Sequence, residues 1–223
     1  DEPIKIKGGE VVEFEVITTK HGPVISNVML QNENPSAVFS MQWTALEPTK
    51  ELQAVIGFNK ATNWEEFEEA LLDFNAPAQN FVFADKSGTI AYKANGNVPI
   101  RKKGNAELPV PGNSSEYGWL GYIPYDELPR AVNPEVGYVA TANNEVIDEN
   151  YPYHLSNIWA QPYRYERIVE LLESKEELTV QDMKDIQMDA KNLYAMEFLP
   201  NLLSTLKVSD LANEYKESLN IHE

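Results

Sequence analysis

The chain has 223 residues and carries 18 Lys and Arg against 35 Asp and Glu, a formal net charge of −17 at pH 7. Binding to a nucleic-acid backbone requires cations that neutralise phosphates. A chain this acidic therefore argues against nucleic acid as a partner. With no Cys and three His, disulfides, a thiol nucleophile and Cys-based or multi-His metal sites are not expected. The sequence holds no apolar run of about 18 residues, so no membrane span is expected either.

The first 140 residues are rich in strand-forming residues. We expect strands within residues 4–30 and at 38–43, with a loop at 31–37 between them. Residues 80–84 and 89–93 form a predicted hairpin around a turn in which Gly88 supplies a positive φ. Residues 136–142 predict one more strand, buried on both faces because it has few polar positions.

Helices are predicted at 63–74 and throughout the last third of the chain. Asn63 followed by Glu66 has the spacing of a capping box, and the acidic residues at 65–69 are expected on a solvated helix face. The tail has an apolar stripe from Tyr165 to Leu172 and a capping pair at Thr179 and Asp182. It continues with a helix at 194–206, which Pro200 is expected to bend or break, and another at 209–219.

This order of elements predicts an α+β protein with a β-rich part at 1–156 and a helical section at 157–223. The predicted strand at 136–142 ends in Asn143 and Asn144, and strand ends are where sites are usually built. The side-chain amide of Asn143 could donate to a developing oxyanion. Asn is also commonplace in turns, where it bonds the backbone or adopts a left-handed φ, and residue type alone favours that structural role.

Two other polar residues have a functional and a structural interpretation. Arg164 precedes the apolar stripe, with Pro162 in the first turn of the helix; it could orient a polar site, or form an ion pair with a nearby Glu. His21 lies before Gly22 and Pro23 and could act as a base. Because no Ser or Cys partner can be identified for His21, a structural role in the turn is favoured.

Several short motifs, taken together and in order, resemble the penicillin acylase family, amidases of the N-terminal nucleophile hydrolase superfamily. They span residues 21–172. The motifs are HGPVI at 21–25, NWEEF at 63–67, NFVFADKSGTIAY at 80–92, LPVPG at 108–112, WLGYIP at 119–124, NP at 133–134 with GY at 137–138, TANN at 141–144, YP at 151–152 and YR at 163–164.

The resemblance implies part of a four-layer αββα sandwich and an amide hydrolase that needs no cofactor. In the family, self-cleavage of a precursor exposes an N-terminal Ser whose hydroxyl attacks the amide carbonyl and whose own α-amine is the base. By motif, Asn143 corresponds to the oxyanion-hole Asn of the family and Arg164 to its supporting Arg. The implied substrates are N-acyl compounds such as penicillins, cephalosporins or acyl-homoserine lactones.

The departures from the family pattern are also informative. Asp1 stands at the start of the sequence and no Ser occupies the nucleophile position, so we expect an internal fragment of the large chain that is inactive by itself. Its partners would be the upstream segment and the small subunit of the same precursor. Only a backbone carbonyl near Ala106 matches the calcium site of the family, so no bound calcium is expected in this chain, and calcium is possible in the parent enzyme only.

Three further expectations accompany this interpretation. The alternative function is a non-catalytic ligand- or protein-binding module derived from the family. Sheet edges and apolar faces normally covered by upstream strands could pair with a second copy and give a dimer. The family suggests an extracellular or cell-envelope location in a bacterium.

Overall fold

The structure is a computed structural model that describes residues 1–26 and 37–207 of the chain. The chain forms two compact units: Asp1–Gly137 with Ile147–Asn157, and Tyr138–Val146 with Ile158–Glu223. Strands and helices both occur, which confirms the α+β class predicted from the sequence. In the described ranges, no helix combines the length and apolar character needed to cross a bilayer.

In its described residues, the first unit has four small antiparallel sheets and two complete α-helices. The sheets pair β1 with β2, β3 with β4, β5 with β6 and β9, and β7 with β8. The strands are β1 (Glu2–Lys5), β2 (Val11–Phe14), β3 (Thr18–Thr19), β4 (Gly22–Pro23), β5 (Gln79–Ala84), β6 (Ile90–Asn95), β7 (Pro99–Arg101), β8 (Trp119–Tyr122) and β9 (Arg130–Val132). The helices are α1 (Glu51–Lys60) and α2 (Trp64–Leu71), with 3₁₀ turns at Thr44–Leu46 and Tyr125–Glu127.

The prediction of a strand at 38–43 is wrong. Its segment makes a single β-bridge, between Ser40 and Val24, flanked by a bond from the Met41 amide to the Pro23 carbonyl. Pairing stops there because β4 is only two residues long and a 3₁₀ turn begins at Thr44. The predicted loop at 31–37 lies outside the described residues except for its last position.

Helix α2 begins where the sequence predicts, with half of the expected capping box. The Asn63 side chain accepts a hydrogen bond from the Glu66 amide at 2.9 Å. The Glu66 carboxylate does not return to Asn63; it accepts from the amide and hydroxyl of Thr62, at 2.8 and 3.0 Å. These bonds lower the pKa of Glu66. The helix is therefore capped at Asn63 as predicted, but the return bond of the Glu66 carboxylate goes to the residue before the cap.

The core of the first unit lies between α2 and the sheet β5-β6-β9. Trp64, Leu71 and Ala91 are buried there, and Phe67 stacks on Phe58 of α1 with ring centroids 4.6 Å apart. The two helices approach closely because α1 has Gly57 at the crossing, where a Cβ would lie 2.6 Å from the Ala70 Cβ. Small residues at that crossing let the aromatic rings fill the remaining space.

The predicted hairpin at 80–93 is confirmed as β5 and β6. The register pairs Phe81 with Lys93 and Phe83 with Ala91. The turn between the strands contains Gly88 at φ 98°, which a residue with a Cβ adopts only at a cost. Because side chains alternate along a strand, these four residues share the face that meets α2.

The prediction of a strand at 136–142 is also wrong. None of the sheets formed by the described residues includes this segment. Its Gly137 amide donates to the nearby Pro134 carbonyl at 2.9 Å rather than to a neighbouring strand. Val136 is 56% exposed, so the segment is not buried on both faces. Its apolar composition is compatible with a strand, but a strand forms only where a neighbouring strand supplies hydrogen bonds.

The second unit is built on α3 (Tyr163–Leu172), α4 (Val180–Met188) and α5 (Leu193–Lys207). Thr179 and Asp182 form the complete reciprocal capping box that the sequence predicts. Helix α5 continues through Pro200, so the proline does not end it. The helix predicted at 209–219 lies outside the described residues.

Contacts between α3 and its neighbours hold these helices together. The Tyr163 ring lies 5.2 Å from that of Tyr194 on α5. Arg167 binds Asp189 through two hydrogen bonds of 2.9 and 2.7 Å, which tie α3 to the residue after α4. Helix α3 is thus held at its first residue and near its middle.

Candidate functional site

Asn143 occupies a tight turn in the second unit. Its φ is 62°, in the left-handed region that Asn adopts more easily than most residues. Its carbonyl accepts a hydrogen bond from the Ala160 amide at 2.8 Å, which ties the turn to the segment that leads into α3. The backbone conformation is the one the structural interpretation of Asn143 predicts, but that conformation does not account for the side chain.

Arg164 reaches this turn from the first turn of α3, where Pro162 is the N-cap residue with φ −68°. One guanidinium nitrogen, Nη2, donates to the Ala142 carbonyl at 2.6 Å and to Asn143 Oδ1 at 2.7 Å. Among the ion pairs formed by the described residues, none involves Arg164. The alternative of an ion pair with a nearby Glu is therefore not what the structure shows.

This contact fixes the orientation of the Asn143 amide. A guanidinium has only donors, so the atom that faces Arg164 must be the amide oxygen. The amide nitrogen consequently points away from Arg164 with two N–H donors, and no acceptor among the described residues takes a hydrogen bond from it. Both side chains are exposed, so these donors are open to a molecule arriving from outside the unit.

The neighbouring Asn144 has a different environment. Its Oδ1 accepts from the Ala142 amide at 3.0 Å and its Nδ2 donates to the Glu145 carbonyl at 2.9 Å. The side chain of Asn144 thus stabilises the local backbone. Residue type alone does not distinguish the members of this Asn pair. The family motif points to Asn143, and the hydrogen bonds show that its amide is the one whose donors stay available.

His21 lies elsewhere, in the turn between β3 and β4 of the first unit. Its Nε2 lies 2.9 Å from the Gly112 carbonyl, a contact in which the ring nitrogen must be the donor, and its amide donates to the Thr19 hydroxyl at 3.1 Å. The histidine therefore links this turn to the loop at 108–112, which is a structural contact.

A buried charge network in the first unit was missed by sequence reasoning. The Lys93 side chain is 1% exposed and lies 3.4 Å from Glu68, which also accepts two hydrogen bonds from Arg130 at 2.6 and 2.8 Å. The Arg130 guanidinium lowers the pKa of Glu68, and burial lowers the pKa of Lys93. The expectation that all of 65–69 is solvated is thus wrong for Glu68.

One signal in the sequence could have located this network. Lys93 is two residues from Ala91 in the predicted strand, so it shares the inward face with that buried alanine. A charge on the inward face of a strand needs a counter-charge, because burial of an unpaired ion is costly.

Within residues 1–26 and 37–207, no three His, Asp or Glu side chains are grouped so that they could hold a metal ion. Ala106, whose carbonyl was matched to the calcium site of the family, has φ 65° and lines a cavity in the first unit.

Comparison with known proteins places these features in a family. The family model described as penicillin amidase matches residues 1–221. Penicillin acylase 2 proenzyme from Pseudomonas sp. is 32% identical over 186 residues, which cover 83% of this chain and 24% of that protein. Penicillin G acylase from Escherichia coli is 30% identical over 98% of this chain and 26% of its own length.

A further relative and a solved structure agree. The acyl-homoserine lactone acylase QuiP from Pseudomonas fluorescens is 32% identical over 85% of this chain and 23% of that protein. The thermostable penicillin G acylase from Alcaligenes faecalis superposes with a TM-score of 0.70 at 25% identity, over 98% of this chain and 39% of that one. The chain therefore spans about a quarter of the length of the curated relatives it matches.

The fold is accordingly that of part of an N-terminal nucleophile hydrolase. Within that class, the chain belongs to the penicillin amidase family. The resemblance found in the sequence motifs is thereby confirmed.

Proposed function

We propose that the protein to which this chain contributes hydrolyses N-acyl amide bonds, and that Asn143 donates to the oxyanion formed in the reaction. The observation that carries the proposal is the Asn143 amide, whose oxygen is held by Arg164 at 2.7 Å and whose N–H donors remain available. Membership of the penicillin amidase family supports the reaction class, because its curated relatives include penicillin and acyl-homoserine lactone acylases.

In the proposed mechanism, the nucleophile is the hydroxyl of an N-terminal Ser that is not part of this chain. Its α-amine, with an ordinary pKa of about 7.7–8.0, takes the hydroxyl proton near neutral pH. Attack on the amide carbonyl gives a tetrahedral oxyanion. The α-ammonium then gives this proton to the leaving nitrogen, and collapse of the intermediate expels the amine product and leaves an acyl-enzyme. Water, which loses a proton to the α-amine, attacks the acyl-enzyme and releases the carboxylic acid and the free Ser.

Asn143 contributes to this mechanism through electrostatics rather than proton transfer. An amide N–H already aimed at the place where negative charge develops stabilises the transition state without having to reorient. Arg164 is a positioning residue: it holds Oδ1, so the amide cannot rotate and present its oxygen to the oxyanion. Its bond to the Ala142 carbonyl also restrains the turn.

The substrate class follows from the names of the relatives. The penicillin acylases and the acyl-homoserine lactone acylase among them are named for compounds in which an acyl group is attached through an amide. We propose an N-acyl compound of one of these types as the substrate, with the acyl pocket formed largely by polypeptide outside this chain.

Replacement of Asn143 in the complete enzyme tests the assignment. We expect Asn143→Ala to lower kcat by about 10²–10³. Alanine also strains the turn, because it disfavours a positive φ. Asn143→Gly removes the same amide without that strain and should show a similar loss. If the glycine variant had the kcat of the wild type, Asn143 would not be part of the oxyanion hole. The defect of the alanine variant would then come from backbone strain.

The chain alone should lack turnover, since the proposed nucleophile and base are elsewhere. Hydrolysis of an N-acyl chromogenic amide by residues 1–223 would contradict this. A parent sequence with no Ser at the expected processing point would favour the non-catalytic binding module instead.

The proposed partners are polypeptide segments of the same precursor: the segment that carries the Ser, and a small subunit. Several apolar side chains of this chain are exposed, among them Ile4 at 48% and Val12 at 45%. Their exposure supports the proposal that another polypeptide segment covers this surface. We propose that the isolated chain uses the same surface to associate with a second copy. Calcium, if bound, would belong to the complete enzyme.

A further inference from the structure

The first unit contains a cavity of about 550 Å³ that the proposed reaction does not use. One wall is the loop Leu108, Pro109, Val110 and Pro111, and another is the segment 38–42. Trp119 of β8 also lines it. The volume lies in the range of small-molecule sites, which is roughly 300–1,000 Å³.

The walls are apolar yet exposed to solvent. Leu108 and Val38 are 76% and 71% exposed, so their side chains would lose contact with water if an apolar ligand entered. The loop is also restrained in advance: each proline fixes its own φ, and His21 holds the Gly112 carbonyl at 2.9 Å. A restrained wall loses little conformational freedom on binding, which favours affinity.

The charges at the cavity are unusual for so acidic a chain. The lining includes Arg101 and Lys103 against Glu107 alone. Lys103 is already engaged, by Glu116 at 2.8 Å and by the Tyr117 ring. Arg101, by contrast, has no ion-pair partner among the described residues, although the chain carries 35 carboxylate side chains.

We infer that this cavity binds a small organic acid, with its carboxylate on Arg101 and its apolar body between the two walls. A guanidinium offers paired donors that match a carboxylate. A cationic ligand would meet Arg101 unfavourably, and a neutral one would leave it unpaired. Glu107 forms no ion pair with Arg101 in the described structure. Its carboxylate accepts a hydrogen bond from Asn105 Nδ2 at 3.3 Å, and its backbone amide donates to Asn105 Oδ1 at 3.2 Å.

Amide hydrolysis of an N-acyl compound would release an acid of this kind. The binding inference does not rest on that reaction, because it follows from the lining of the cavity. An assay of binding to the chain therefore fails or succeeds independently of the proposed function.

The test is calorimetric titration of the 223-residue chain with octanoate, and with octanamide as the uncharged probe of the same length. We expect saturable one-to-one binding of octanoate and affinity at least about tenfold weaker for octanamide, since a charged hydrogen bond is lost. Arg101→Gln should weaken octanoate binding by a similar factor and leave octanamide unaffected. Trp119 provides an independent fluorescence signal at the cavity.

Lys102→Gln is the matched control, because it removes the same charge from the adjacent residue, which does not line the cavity. It should change octanoate affinity less than about twofold. Leu108→Asp adds a repelling charge at an exposed wall position, so it should weaken octanoate binding without endangering the fold. Absence of saturable binding, equal affinity for the two probes, or equal losses in R101Q and K102Q would overturn the inference.

Discussion

The buried charge of Lys93 requires an acidic side chain beside it. In the sheet register it stands directly opposite Arg130 on the neighbouring strand, and like charges in such a position repel. Glu68 of α2 lies between them, with two hydrogen bonds to Arg130 and a 3.4 Å contact to Lys93. The Lys93 ammonium also lies 3.9 Å from the centre of the Tyr125 ring. The carboxylate thus makes this pair of cations tolerable.

Removing that carboxylate should be costly. We expect Glu68→Gln to lower the free energy of unfolding by about 2–4 kcal/mol, because Lys93 keeps its buried charge without a counter-charge. Lys93→Met should change stability by only about 1 kcal/mol, and adding it to Glu68→Gln should recover most of the loss. Urea denaturation of the three variants measures this. Equal stability of Glu68→Gln and the wild type would contradict the network.

The same network predicts a dependence on pH. Because Arg130 lowers the pKa of Glu68 from its ordinary 4.5, the folded chain binds fewer protons there than the unfolded chain. The stabilisation is present above pH 4.5 and is lost as pH falls through the lower folded pKa. Wild type should therefore lose more stability than Glu68→Gln between about pH 5 and about pH 3. If the two proteins lost stability equally as the pH fell over this range, the role of Glu68 in the network would be contradicted.

At the scale of elements, helix starts were predicted well and isolated strands poorly. A cap is local: Asn63 and Thr179 each need only an amide three residues away. A strand needs a partner, and the apolar segments at 38–43 and 136–142 find little or none in the described structure. The hairpin β5–β6 was predicted correctly because its two strands are neighbours in sequence and pair with each other.

The reciprocal cap of α4 gives a prediction at this scale. Thr179→Ala removes the hydroxyl that accepts from the Asp182 amide at 3.2 Å, so the second unit should lose about 0.5–2 kcal/mol of stability. Thr179→Ser keeps the hydroxyl and should stay close to wild type. Thermal unfolding followed by circular dichroism measures both, and an equal loss in the serine variant would assign the effect to the methyl group instead.

At the scale of the whole chain, exposed apolar surface is the feature that remains to be explained. The β1–β2 register pairs Ile4 with Val12 on one face, and Lys5 with Val11 on the other. Glu2 and Phe14 continue the first face, where Phe14 is 40% exposed. Such a face is unusual on a free surface and typical of one that another polypeptide covers.

Two neighbouring substitutions test whether a second copy covers this face. We expect the isolated chain to dimerise, and Val12→Lys to shift it toward monomer by at least about tenfold in the dissociation constant, because it places a charge in the apolar face. Val11→Lys makes the same change on the opposite face and should leave association unchanged. Sedimentation equilibrium measures both. A wild-type chain that is monomeric throughout would refute self-association through this surface.

By itself, the sequence determined the features that depend on composition and on near neighbours. These are the acidic character, the α+β class, two helix starts, the central hairpin and, through ordered motifs, the family. Tertiary structure decided the rest, because it depends on contacts between residues far apart in the chain. Arg164 lies 21 residues from the Asn143 amide that it orients, and Arg130 lies 62 residues from Glu68. The family motif points to Asn143 rather than Asn144, but only the geometry of the folded turn shows why its amide keeps its donors available.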